Sequence, residues 1–160
     1  ELMAKPSAPL KILDILKLES VLLDIKSSAK PDVLKEFVTL VLSKEDKQVR
    51  EEIVQALLDR EKLGSTGIGS GVAVPHAKSS RVTGMVCALG ISKKGIDFEA
   101  LDHTPVFIVF LLVAPPNSQS EHLNILARIV RLLKDRVFRQ ALREAKSREE
   151  ILRLITAEDI

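Results

Sequence analysis

The sequence predicts an α/β domain in which one central mixed β-sheet is flanked by helices on both faces. Three observations carry this. Segments with helical periodicity occupy both ends of the chain and β-rich segments its middle, an order that places a sheet between helical layers. The run 105–114 is apolar without alternation, as expected of a strand buried on both faces. A length of 160 residues, 46% of them hydrophobic, suits a single domain with a sizeable core. With five Phe, no Trp and no Tyr, that core is aliphatic.

Residues 1–9 contain Pro6, Pro9 and small side chains and read as a flexible N-terminal arm; residues 10–160 form the domain. A short helix is expected over 10–16 and a strand over 21–25. Pro31 fits the first turn of a helix whose buried stripe is Val33, Leu34, Phe37, Val38 and Val41. Ser43 followed by Asp46 has the form of a capping box for a second helix, with Ile53, Val54, Leu57 and Leu58 inward and Gly64 as terminator. Beyond a glycine-rich stretch, 85–91 is a strand, Lys93 to Gly95 a turn, 96–98 a short return segment and 105–114 the buried strand. Ser120 is the expected cap of a long helix carrying Leu123, Leu126, Val130 and Leu133. Val137, Phe138 and Leu142 mark another helix, and Ser147 with Glu150 caps the last.

The stretch 64–78 is the chemical centre of the chain. Gly64, Gly67, Gly69 and Gly71 alternate with Ser65, Thr66 and Ser70, then Val72 to Val74 form a short apolar run before Pro75 and His76. Closely spaced glycines let successive N–H groups face one concavity that suits an anion. Pro75 has no N–H for a sheet ladder and fits a strand end. The reading is loop, strand, stop, with His76 delivered at the stop.

Composition removes several functions. A net charge of +2 does not argue for nucleic acid or an anionic membrane, and stacking platforms for single strands need aromatic faces this chain lacks. The single Cys87 excludes an internal disulfide and a thiolate zinc cage, and its apolar setting reads as a small buried hydrophobe. The longest apolar run, 106–114, is too short to span a bilayer, and no secretory leader is visible, so no membrane insertion and a cytoplasmic location are expected. A P-loop needs Lys and Ser/Thr after its last glycine; Gly64 to Gly69 is followed by Ser70 and Gly71. Gly67, Gly69 and Gly71 follow a helix and precede a strand, the reverse of a dinucleotide fingerprint. His76, His103 and His122 lack the spacing of a helical metal site, and Ser70 lacks a nucleophile elbow. Neither metal nor cofactor is expected.

His76 remains as a nucleophile. Neutral imidazole attacks well near neutral pH, and a phosphoryl acceptor needs mainly positioning and donors for the phosphoryl oxygens. His122, at the start of a helix, and Arg60, ending the helix that feeds the glycine stretch, are candidate donors; an ordinary exposed arginine is the alternative for Arg60.

These residues amount to a resemblance. The segment 58–77, from Leu58 through Arg60 and the glycines to His76 and Ala77, resembles the active-site signature of the fructose/mannitol-type IIA (EIIA type-2) domains of the bacterial phosphoenolpyruvate-dependent phosphotransferase system. Gly95 to Phe98, Asp102 with Pro105 and Val106, the strand into Pro115, Glu121 to Leu123, and Ser147 with Glu149 to Ile151 are similar to the same family, so that about residues 10–157 are covered. The resemblance implies a phosphocarrier: HPr, or its nitrogen-branch relative, donates a phosphoryl group to His76, while His122 and Arg60 stabilise it and Thr66, Gly69 and Gly71 lend supporting contacts. The partner downstream is either a protein regulated by the phosphorylation state or a sugar-specific IIB domain with a cysteine acceptor. The absence of a IIB-like segment favours the stand-alone nitrogen regulator. An interaction module without phosphate traffic is the remaining alternative, opposed by the intact His76, Arg60 and His122. His103 departs from the family, which has a small residue such as glycine there, and reads as a surface turn residue. The basic excess at Arg128, Arg131, Lys134, Arg136, Arg139, Arg143 and Lys146 reads as solvated helix faces, with a docking surface for an acidic partner as the alternative.

Overall fold

In the computed structural model, which describes residues 10–160, the elements run α1 (Ile12–Ile15), β1 (Val21–Leu22), α2 (Lys30–Val41), α3 (Lys47–Lys62), β2 (Gly67–Gly69), β3 (Val72–Ala73), β4 (His76–Lys78), β5 (Val86–Ile96), β6 (Val106–Ala114), α4 (Gln119–Leu133), α5 (Arg136–Glu144) and α6 (Arg148–Glu158). The arm expected over 1–9 lies outside the described residues.

The sheet is mixed, in the order β1-β5-β6-β3-β2, with β4 pairing β6 beyond β3. β6 runs antiparallel to β5 and parallel to both β3 and β4. Alternate side chains of a strand point to opposite faces. Val109, Leu111 and Val113 enter the core beneath α2 and α3, with Phe37, Ile53 and Leu57. Ile108, Phe110 and Leu112 enter a second core beneath α1, α4, α5 and α6, with Ile12, Ile129, Leu142 and Ile155. The two cores explain why β6 shows no alternation, and they place helices on both faces as expected.

Local details differ from the sequence reading where tertiary pairing overrides local pattern. Lys93 to Gly95 is not a reversal: β5 continues to Ile96, which pairs Val106, and the interval after Ile91 is an irregularity in the ladder. Gly95 takes φ +92° there and donates its N–H to Ser92 Oγ at 3.0 Å. Gly67 to Gly69 is a strand of a tight hairpin rather than a loop, because Gly67 pairs Ala73 and Gly69 pairs Val72. The first expected strand shortens to Val21–Leu22, although Ile25 still donates to the Ile91 carbonyl at 2.8 Å.

Helix caps show the same mixture. Asp46, not Ser43, precedes α3, and Ser118, not Ser120, precedes α4. Ser118 turns its hydroxyl back to the Pro115 carbonyl at 2.8 Å, so the proline turn takes the group that would otherwise cap the helix. Ser147 does cap α6 by accepting from Glu150 N–H at 3.1 Å, while the Glu150 carboxylate accepts from Lys146 N–H at 2.8 Å. At the far end of α6, buried Asp159 accepts from Ile12 N–H at 2.7 Å and from Arg128 Nε at 2.8 Å, tying α1 and α4 to the last residues.

Candidate functional site

His76 is set by strand geometry. Pro75 interrupts the line of β3 but accepts from Leu112 N–H at 3.0 Å, and the chain resumes as β4 with His76 opposite Leu112. β4 pairs only β6 among the described strands, so His76 stands at the sheet margin, half-buried. Its Nδ1 lies 2.7 Å from the Val74 carbonyl. A carbonyl only accepts, so Nδ1 carries the proton and the lone pair of the neutral ring is on Nε2.

A pocket of about 480 Å³ opens here between the end of α3 and the start of α4, lined by Asp59, Arg60, Leu63, His76, Lys78 and His122 among others. Larger hollows of about 580 Å³ between α2 and α3, and about 710 Å³ beside His103, lack a histidine pair. The His76 and His122 rings meet edge to face, with centroids 5.7 Å apart and planes at 75°. His122 is buried, and its Nε2 has no hydrogen-bond partner among the described residues. Burial first, and then the electrostatic influence of His76 and Lys78, hold its pKa below the ordinary value. Its own N–H is not free, since it donates to the Ser118 carbonyl at 2.8 Å, so the side chain is what His122 offers.

Arg60 reaches the pocket from the last turn of α3, where its Nη1 donates to the Gly64 carbonyl at 2.9 Å. Gly64, at φ +148°, provides the helix exit that makes this carbonyl available. Neither Arg60 nor Lys78 has a carboxylate partner among the described ion pairs. The one acid in the lining, Asp59, is held by Gln55 at 2.9 Å and Lys62 at 3.4 Å, and these contacts keep its carboxyl below the usual range. The pocket therefore combines two available cations, a nucleophilic nitrogen and a buried imidazole.

The structure brings together His76, His122 and Arg60 but not the remaining three candidates. Thr66 is buried and spends both its N–H, at 3.1 Å, and its hydroxyl on the Glu61 carboxylate, which also pairs Lys30 at 3.0 Å. Gly69 ends β2 and Gly71 lies in the β2–β3 turn, where Gly71 accepts from Phe107 and Ile108 at the start of β6. His76 is level with Leu112 near the other end of that strand; four residues of strand separate the two levels by about 13 Å. The expected anion-cradling glycine loop is thus a hairpin directed away from the histidine. Lys78 was absent from the sequence candidates, yet its position two residues after His76 on an extended strand puts it on the same side. Cys87 is buried, and burial pushes its thiol far up, as expected of an inert core residue. No helix among the described residues is long and apolar enough to cross a membrane.

Residues 14–158 match the family model described as "Phosphoenolpyruvate-dependent sugar phosphotransferase system, EIIA 2". A PTS system fructose-specific EIIABC component of Bacillus subtilis is 39% identical over 151 residues, 94% of this chain; the chain spans only 24% of that relative's length. A nitrogen regulatory protein of Bradyrhizobium diazoefficiens is 36% identical over 140 residues, covering 88% of this chain and 91% of that protein. The crystal structure of nitrogen regulatory protein IIA-Ntr from Neisseria meningitidis is similar at a TM-score of 0.81 and 30% identity, over 89% of this chain and 97% of that one.

Proposed function

This chain belongs to the EIIA 2 family of the phosphoenolpyruvate-dependent sugar phosphotransferase system, and we propose from that premise that it is a phosphocarrier whose acceptor atom is Nε2 of His76. The observation that carries the reading is the Nδ1–H bond to the Val74 carbonyl, which leaves Nε2 unprotonated beside Arg60, Lys78 and the buried His122 nitrogen. In the forward step the Nε2 lone pair attacks phosphorus on a phosphohistidine donor, HPr or a nitrogen-branch relative. A P–N bond forms at His76 as the donor's P–N bond breaks, and the donor imidazole leaves with the electron pair. The Val74 carbonyl keeps the Nδ1 proton and offsets the positive charge of the phosphorylated ring. Arg60 and Lys78 neutralise the equatorial oxygens, and an N–H on His122 Nε2 donates to one of them. Transfer onward reverses the chemistry at an acceptor side chain.

The downstream role we favour is regulatory, supported by the near-complete overlap with nitrogen regulatory proteins. Adding about two negative charges at a cationic pocket changes the surface that a regulated protein meets. The 39% identity to a fructose-specific component supports a second reading, delivery of the phosphoryl group to a IIB cysteine. Incubation with phosphoenolpyruvate, its kinase and HPr should add one acid-labile, base-stable phosphoryl group, seen by intact mass. His76→Ala should accept none while keeping its fold; a labelled His76→Ala would remove the assignment. An unlabelled wild type with both HPr and its nitrogen-branch relative would leave only the interaction module. Transfer from the labelled protein to an isolated IIB domain would select transport over regulation.

A further inference from the structure

A second cationic pocket lies at the opposite end of β6. Arg136, Arg139 and Arg143 occur at helical spacing on one face of α5, and that face closes against the β2–β3 turn around a cavity of about 180 Å³. Ser70, Gly71 and Phe107 form the other wall. No carboxylate lines it, and none of the three arginines has an acidic partner among the described ion pairs. The nearby acids are already engaged: Asp102 accepts from Ser70 N–H at 2.9 Å, Asp135 caps α5, and Glu144 accepts from Gln140 at 2.7 Å.

Two of the three arginines are held in place without being neutralised. Arg139 Nη1 donates to the Leu133 and Lys134 carbonyls at the end of α4, both at 2.8 Å. The Arg143 guanidinium lies over the Phe107 ring at 3.9 Å, a contact that orients it and leaves its charge intact. Arg136 is exposed, and its side chain makes no hydrogen bond among the described residues. Ser70, at φ +58°, is fixed in the turn by Asp102 and keeps its hydroxyl available. Three like charges gathered around one hollow repel one another, and an anion entering it relieves that repulsion.

We propose that this pocket is a binding site for a small phosphorylated metabolite, its phosphate dianion held by Arg136, Arg139 and Arg143 and oriented by the Ser70 hydroxyl. Guanidinium groups match phosphate oxygens in pairs, and three of them suit a dianion better than a single carboxylate. A cavity of about 180 Å³ leaves room for a phosphate and a short carbon body. The site is separate from His76, so its occupancy reports on a soluble metabolite independently of phosphoryl traffic.

The test uses inorganic phosphate and glycerol phosphate as probes, against chloride at matched ionic strength, read by amide NMR shifts. Both probes should produce saturable shifts at Ser70, Gly71, Phe107 and Arg136. The Arg136→Gln/Arg143→Gln double variant should weaken these at least about tenfold, since each charge-assisted bond contributes substantially. His76→Ala should leave them unchanged. Arg136→Gln alone removes an exposed side chain and serves if the double variant misfolds; it should weaken binding about threefold or more. Shifts linear in concentration, or shifts lost in His76→Ala and kept in the arginine variants, would overturn the proposal.

Discussion

At the scale of single residues, His122 carries the sharpest consequence. Its folded pKa lies below the ordinary 6.5, mainly through burial, so the folded protein binds this proton more weakly than the unfolded chain does. Its contribution to stability is complete above 6.5 and is lost as pH falls through the depressed value. Urea midpoints should therefore drop in the wild type as pH falls from 6.5 towards that depressed value, and His122→Gln should flatten the drop; an unchanged slope would show that His122 titrates normally. His103 makes a different prediction. It adopts φ +61° in an exposed turn, the conformation glycine takes without penalty. His103 thus forms a mildly strained turn, and His103→Gly should raise stability by up to about 1 kcal/mol in a denaturant titration.

At the scale of elements, β5 and β6 show what local pattern conveys. The apolar run of β6 was legible because two cores consume both of its faces, and Ser147 was legible as a cap because its box is purely local. The continuation of β5 through Lys93 to Gly95 was not, since a bulge and a hairpin turn use the same residue types and only the pairing of Ile96 with Val106 separates them. His76 could be read from Pro75 beside it, whereas its meeting with Arg60 and His122 depends on how α3 and α4 end against the sheet. Likewise, glycines that read as an anion loop became strand residues once Ala73 and Val72 supplied partners. With β6 apolar on both sides, polarity alone cannot set the register of its pairing. Close packing supplies part of it at Gly90, opposite Val109, where an added Cβ would lie 2.5 Å from Phe37 Cζ and 2.9 Å from Ile25 Cγ1. Gly90→Ala should cost about 1–3 kcal/mol by overpacking, and Gly90→Ala with Phe37→Leu should recover part of it; the same melting temperature in all three proteins would exclude the clash.

At the scale of the whole molecule, stability depends on joining the helical layer of α1, α4 and α6. Asp159 does this with one carboxylate, and removing it leaves the Ile12 N–H and the largely covered Arg128 guanidinium without their acceptor. Asp159→Ala should cost about 2–3 kcal/mol, less than a fully buried pair because Arg128 keeps some solvent contact. Equilibrium unfolding measures it, and Asp159→Asn should fall between the two. The same clip brings residue 12 and residue 159 into direct contact. A circular permutant that splices Ile160 to Leu10 through a short glycine-rich bridge and opens new ends within the exposed 43–46 turn should consequently retain the native sheet.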